Sequence, residues 1–198
     1  MEKRGQEVKY LKENDLKRIR EYLKLKNKIV ILSLVNIGVN VGLRISDLSK
    51  LRFENIGRNG LVKLKEKKTG KTREIHLNKT CQKAIKDLKV FYKGLGYSDK
   101  EGYLFKSLNR AYVKDKIDRP ITTSGISKIF NEIRDMLAIS YPIGTHSLRK
   151  TWGYMVYKGT LNIAIIMRAF NHSSAEQTLK YIGIEQENIN RLYEEFEI

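Results

Sequence analysis

Cysteine is nearly missing: Cys81 stands alone in 198 residues. A single thiol excludes an intramolecular disulfide and any zinc site built from several thiolates, so an intracellular, cytoplasmic protein is the default expectation. Long apolar runs are missing too. The opening MEKRGQEVKY lacks the apolar core of a signal peptide, and the longest apolar stretch, residues 29–41, is broken by Ser33, Asn36, Gly38 and Asn40. No internal repeat or low-complexity segment stands out, and the length suits one domain able to bury its own core.

Acid is scarce where base is plentiful. Against 39 Lys and Arg there are 22 Asp and Glu, a formal charge of +17, which points to a polyanionic partner with nucleic acid first in line. Residues 184–198 run the other way, with five Glu against Arg191. Charge reports affinity for phosphate and not what is done to it, so the chemistry has to come from particular residues.

The apolar periodicity predicts a mainly helical (α+β) domain. Residues 11–26 read as an amphipathic helix capped by Asn14 or Asp15. Residues 28–40 are apolar on most sides, as in a central helix, and Gly42 stops them. Ser46 and Asp47 are expected to cap a short helix through Leu51, which puts Arg44 at a junction with rigid flanks. Alternation over residues 61–77, with KKTGK at its centre, predicts a hairpin. Asn78 caps a helix to about Lys93, and Thr122 to Ser124 cap another to about Ala138. The polar stretch 109–120 reads as a loop bordering the substrate. From His146 onward the pattern is helical, with breaks at 159–160, 171–174 and Gly183. One hairpin among some eight helical segments argues against a doubly wound sheet.

Four separated pieces carry chemistry: VGLRISDLSKL at 41–51, KKTGKTREIHL at 67–77, THSLRKTWG at 145–153 and FNHSSAEQTLKYIGI at 170–184. By order and internal spacing they resemble the tyrosine recombinase (phage integrase) family. They show an Arg after Gly-Leu, a hairpin Lys, His-x-x-Arg, and His-Ser-Ser with a Tyr nine positions beyond that His. The resemblance spans about Leu11 to Ile184, and its motifs are far more specific jointly than singly. It implies a helical catalytic domain with a small antiparallel sheet, in the fold of DNA breaking-rejoining enzymes.

Residue by residue, the resemblance implies that Arg44 and Arg149 clamp the scissile phosphate, a role suited to a planar, permanently charged fork of donors. Taken singly, each has a plainer reading as a salt-bridge partner, Arg44 with Asp47 one turn away and Arg149 with a nearby carboxylate. His146 shares a helical face with Arg149 and would relay the nucleophile's proton. His172, placed at a helix start after Asn171, would donate to a phosphate oxygen. Lys68 would protonate the leaving 5′ oxygen, with Lys67 and Lys71 as close rivals. Asp47 would orient the basic groups. Tyr181 would be the nucleophile, forming a 3′-phosphotyrosine intermediate without ATP, metal or any other cofactor.

Two departures from the family pattern stand out. Phe170-Asn171 replaces the usual Leu-Gly before the His-Ser pair, a change Asn suits because it tolerates the left-handed backbone. His76 stands where many relatives have Pro; it is expected to be exposed and without a catalytic role. The expected organisation is a catalytic domain over 1–184 and an acidic helical tail over 185–198 that docks on its own or a neighbouring protomer, with no separate N-terminal DNA-binding domain and weak DNA binding by this chain alone. The implied partners are double-stranded DNA with specific recombination sites, a homo-tetramer formed on two sites from monomers, and accessory DNA-bending proteins, with no membrane. Competing readings are a non-enzymatic DNA-binding regulator using residues 37–51 as a helix-turn-helix, a type IB topoisomerase-like relaxing enzyme, and a metal-dependent nuclease around Asp115 and Asp118.

Overall fold

The computed structural model describes residues 7–68, 70–184 and Glu194, so the acidic tail lies outside the described residues except at that one position. In chain order the elements are α1 (Glu13–Leu25), α2 (Ile29–Val41), α3 (Ile45–Leu48), a 3-10 turn (Phe53–Asn55), β1 (Leu61–Lys65), β2 (Thr72–His76), α4 (Lys79–Gly94), α5 (Arg110–Lys114), α6 (Thr123–Met136), α7 (Ser147–Thr160), α8 (Ile163–Phe170) and α9 (Ala175–Ile182). Among the described residues the chain is mainly helical with one small antiparallel sheet, as its periodicity predicts.

α2 is the hub. Val30, Ile31, Leu34, Val35, Ile37 and Val41 are all buried, and the helix packs against α1, α4 and α7. An apolar surface on every side can be satisfied only by neighbours on every side. The same burial removes the helix-turn-helix reading: α2 is enclosed, and α3 is a single turn with Asp47 and Leu48 buried, so neither offers a face to a DNA groove. Gly42 ends α2 in the left-handed region at φ 59°, and a Cβ there would fall 2.6 Å from the Trp152 ring.

β1 and β2 pair antiparallel from Leu61 opposite His76 to Lys65 opposite Thr72. The turn between them closes through Gly70 at φ 66°, whose amide donates to the Glu66 carbonyl at 2.9 Å. Asn78 caps α4 by accepting from the Cys81 amide, and Thr122 caps α6 by accepting from Gly125.

Three local expectations are corrected. α1 begins at Glu13 with no side-chain cap, because Asp15 is used instead by Arg18 and the Tyr141 hydroxyl. α3 begins at Ile45 behind an uncapped Arg44 and stops at Leu48. The stretch 109–120 is not all loop: Asn109 caps α5, and Asp118 accepts from Lys106 Nζ at 2.6 Å, so this carboxylate is half of a largely buried ion pair. Among the described residues no helix is long and apolar enough to cross a membrane.

Candidate active site

The site is built where two helices end. α2 finishes at Val41 and Gly42, α8 finishes at Ala169 and Phe170, and the last carbonyls of an α-helix have no partner within it. Three guanidinium groups fill that role here. Arg149 donates to the carbonyls of Gly42 at 2.6 Å and Phe170 at 3.0 Å. Arg44 donates to the Phe170 carbonyl at 3.4 Å. Arg73 donates to Ala169 at 3.0 Å and Val41 at 3.3 Å. The negative ends of two helix dipoles thus meet a cluster of cations, which offsets part of the repulsion among them.

The remaining compensation comes from Glu66. This buried carboxylate accepts from Arg44 at 3.0 Å and from Arg73 at 3.3 Å. The plainer expectation of an Arg44–Asp47 salt bridge is therefore replaced by a longer-range pair, and Arg149 rests on carbonyls rather than a carboxylate. Neither Glu66 nor Arg73 stood out as a site residue in the sequence. The available signals were the inward position of Arg73 on the alternating strand and the position of Glu66 at the strand end, immediately before the turn lysines.

Asp47 holds the hairpin through its Oδ1, which accepts from the Lys67 amide at 3.0 Å, and its charge also acts on Arg73. Its Oδ2 is buried with no hydrogen-bond partner among the described residues. Lys68 lies exposed in the turn beside it. Of the rival turn lysines, Lys71 reaches across to the α8–α9 turn, where its Nζ meets Asn171 Oδ1 at 3.0 Å. His76 is exposed, as expected.

His146 precedes α7, and Arg149 lies in that helix's first turn. The Nδ1 atom of His146 sits 3.1 Å from the Tyr181 hydroxyl. Partial desolvation of its ring, then the charges of Lys150, Arg149 and Arg44, hold His146 below the usual histidine range. Burial raises the Tyr181 phenol above its ordinary value, and the opposing pull of Arg149 and Arg44 does not cancel it. The resting pair at neutral pH is a neutral imidazole beside a neutral phenol, and in the tautomer with its proton on Nε2 the imidazole accepts from the phenol. Arg149 itself is pushed down to about 10, chiefly by burial, and is still protonated at neutral pH.

His172 is not at a helix start. Asn171 adopts the left-handed conformation at φ 55° and ends α8, the His172 amide donates back to Met167, and α9 begins only after Ser174. The imidazole is placed by α9 instead, with Nδ1 3.1 Å from Thr178 Oγ1. That hydroxyl gives its own proton to the Ser174 carbonyl at 2.8 Å, so it accepts from His172 Nδ1, and the neutral ring's proton sits there. Phe170 ties the groups together: its ring lies 4.0 Å from the Arg149 guanidinium carbon and meets the rings of Tyr181 and His172 edge-on.

The phage integrase family model matches residues 9–188. The chain belongs to the phage integrase family. A relative from Bacillus subtilis (strain 168), named probable integrase/recombinase YoeC, is 31% identical over 185 residues, covering 91% of this chain and 92% of its own. A probable integrase/recombinase of Acholeplasma phage L2 is 27% identical over 188 residues, 92% of this chain but 59% of the relative. Among solved structures, XerA recombinase superposes with a TM-score of 0.73 at 20% identity, covering 98% of this chain and 66% of that one. XerH site-specific recombinase, bound to its palindromic difH substrate after cleavage, gives 0.72 at 18% identity, with 96% and 52% covered. The fold is that of the tyrosine recombinase catalytic domain, and the protein is an enzyme of DNA recombination and integration.

Proposed function

We propose that this chain cuts and rejoins duplex DNA at specific sites through a covalent bond between Tyr181 and a backbone phosphate. The observation that carries the reading is the 3.1 Å approach of His146 Nδ1 to the Tyr181 hydroxyl beside the Arg44–Arg149 cluster. A neutral imidazole there takes the phenolic proton as the oxygen attacks phosphorus. The Tyr–O–P bond forms, the P–O5′ bond breaks, and Lys68 in the exposed turn protonates the departing 5′ oxygen. The product is a 3′-phosphotyrosine and a free 5′-hydroxyl, which reverses the step when another strand's hydroxyl attacks.

One phosphodiester is exchanged for another bond of similar energy, so the reaction needs no ATP. Each guanidinium carries five donors, and the contacts described for Arg44 and Arg149 leave some for the non-bridging oxygens of the phosphate. With charge on phosphorus met by the arginines, and by His172 once it carries a second proton on Nε2, the step is metal-independent. The excess of basic residues holds the duplex, and assembly on two sites as a tetramer, with bending proteins where the sites require them, completes recombination.

The test is a nicked suicide duplex carrying the ends of the genetic element that encodes the chain, incubated in EDTA with the wild type and Tyr181→Phe. A denaturation-resistant adduct with the wild type alone is expected. Binding without an adduct would instead support a DNA-binding regulator, and relaxation of plasmids lacking such a site would support a topoisomerase-like enzyme.

A further inference from the structure

Lys150, the residue after the Arg149 clamp, is only 4% exposed. Its ammonium ion pairs with Glu7 at 2.6 Å, but the Glu7 side chain is 61% exposed. Burying a cation costs several kcal/mol unless its partner is buried and well hydrogen-bonded, and a carboxylate largely in water is a weak partner. Packing alone would be served better by an apolar side chain. What the charge does have is a second neighbour: Lys150 Nζ lies 4.9 Å from the centre of the Tyr181 ring.

Glu7 belongs to a strap, residues 7–12, laid along α7. Leu11 donates its amide to Thr151 Oγ1 at 2.8 Å, the Tyr10 ring stacks on Tyr154 at 3.8 Å, and the Lys9 amide bonds to the Pro142 carbonyl. The same strap reaches α9, since a Cβ on Gly183 would lie 3.1 Å from the Tyr10 ring. The chain's N-terminal segment therefore touches both helices that hold the His146–Tyr181 pair.

From this geometry we infer that Lys150 is a positioning residue for Tyr181, holding a positive charge on its ring, and that Glu7 on the strap sets how much of that charge the phenol feels. The inference rests on Tyr181 being the nucleophile. Charge developing on the phenolate spreads into the ring and strengthens the attraction to Lys150, so the contact favours the attacking form over the resting one. Displacing the strap removes the carboxylate and leaves the cation acting alone. The other charged or titratable groups around Tyr181 are His146 and Arg149 from α7, Arg44 from the α2–α3 junction and His172 from the α8–α9 turn.

Tyrosine labelled with carbon-13 at Cζ reports ionisation without DNA, the Tyr181 signal being the one lost in Tyr181→Phe. Near pH 10 the phenolate fraction should fall about threefold in Lys150→Met, stay near wild type in Lys150→Arg, and rise in Glu7→Gln. Equal fractions in all four proteins, zero included, would overturn the inference, because a structural role moves the melting temperature and not the phenol. If Lys150→Met fails to fold, the exposed Glu7→Gln change still decides the sign. On the suicide duplex, adduct formation near neutral pH should slow about tenfold in Lys150→Met with DNA affinity unchanged. An adduct absent from every protein, wild type included, would sink the nucleophile assignment while leaving the ionisation result to stand by itself.

Discussion

Arg44 and Arg149 flank the large core, in which Leu34, Ile37, Leu43, Leu48 and Leu148 are buried together, whereas Tyr181 and His172 sit on a cluster with only Ile166, Phe170 and Ile182 fully buried. The proposed phosphate clamps thus sit on a deep bed, while the proposed nucleophile rides on a shallow arm made of α8 and α9. The two meet at Phe170, whose carbonyl accepts from both arginines and whose ring lies against Tyr181. An opening of the arm would expose less apolar surface than an opening of the bed and cost correspondingly less. The proposed reaction has use for that division: the cations would hold still against charge developing on phosphorus, while Tyr181 would have more freedom to move.

The sharpest way to break the bed is Glu66→Ala. It would leave the partly buried Arg44 and Arg73 facing each other with no carboxylate between them, and removing one partner of a buried ion pair costs up to about 3–5 kcal/mol. The loss should appear as a lower global melting temperature and weaker hydrogen-exchange protection throughout α2 and α7. Adduct formation should fall about a hundredfold, the scale lost when a preorganised donor is misplaced. Glu66→Gln, which keeps the shape and some of the bonds, should cost less on both counts. Unchanged stability in Glu66→Ala would mean that the helix-end carbonyls suffice to hold the cluster.

Gly153→Val tests the arm. A Cβ at this position of α7 would fall 2.7 Å from Ile182 and 2.9 Å from the Phe170 ring, so the arm has to lift. Overpacking of this kind costs roughly 1–3 kcal/mol. The expected signature is local: exchange protection lost in α8 and α9, retained in α2 and α4, with adduct formation reduced and DNA affinity little changed. Protection lost evenly across the chain would show that bed and arm are one cooperative unit.

Much of this division is legible in the sequence, and its gaps have physical causes. The apolar surround of residues 29–41 marks the central helix, and the alternation about KKTGK marks the hairpin, because both are local patterns. The motif spacing brings Arg44, His146, Arg149, His172 and Tyr181 into one region. Glu66 escaped because a carboxylate beside four lysines and an arginine reads as surface charge, and only the fold shows it turned inward. The carbonyl acceptors of Arg149 belong to the backbone, which carries no residue signature. Asn171 takes the left-handed conformation expected of it and ends α8, but His172 does not open the next helix, because α9 begins only at Ala175.

The smallest effect expected is a pH window that belongs to the arm. Burial and then the charges of Arg149 and Arg44 hold His172 below the ordinary histidine value, and His146 lies low for the reasons given above. The unfolded chain therefore binds protons first as pH falls below about 6.5, and stability drains away as pH drops through the lower folded values. Tyr181 is shifted the other way: it keeps its proton in the folded state while the unfolded chain releases one near pH 10. Stability from this group is full below that value and is lost as pH rises further. Exchange protection of α8 and α9 should thus be highest between these limits and fall at both ends, while α2 and α4 change less. Adduct formation should follow the lower limb for a separate reason, since in the proposed reaction only neutral His146 can take the phenolic proton. Its rate should be at plateau by about pH 6.5 and decline below, and His146→Gln should lower the rate and flatten that limb. A limb that survives this substitution unchanged would assign the proton acceptor to another group.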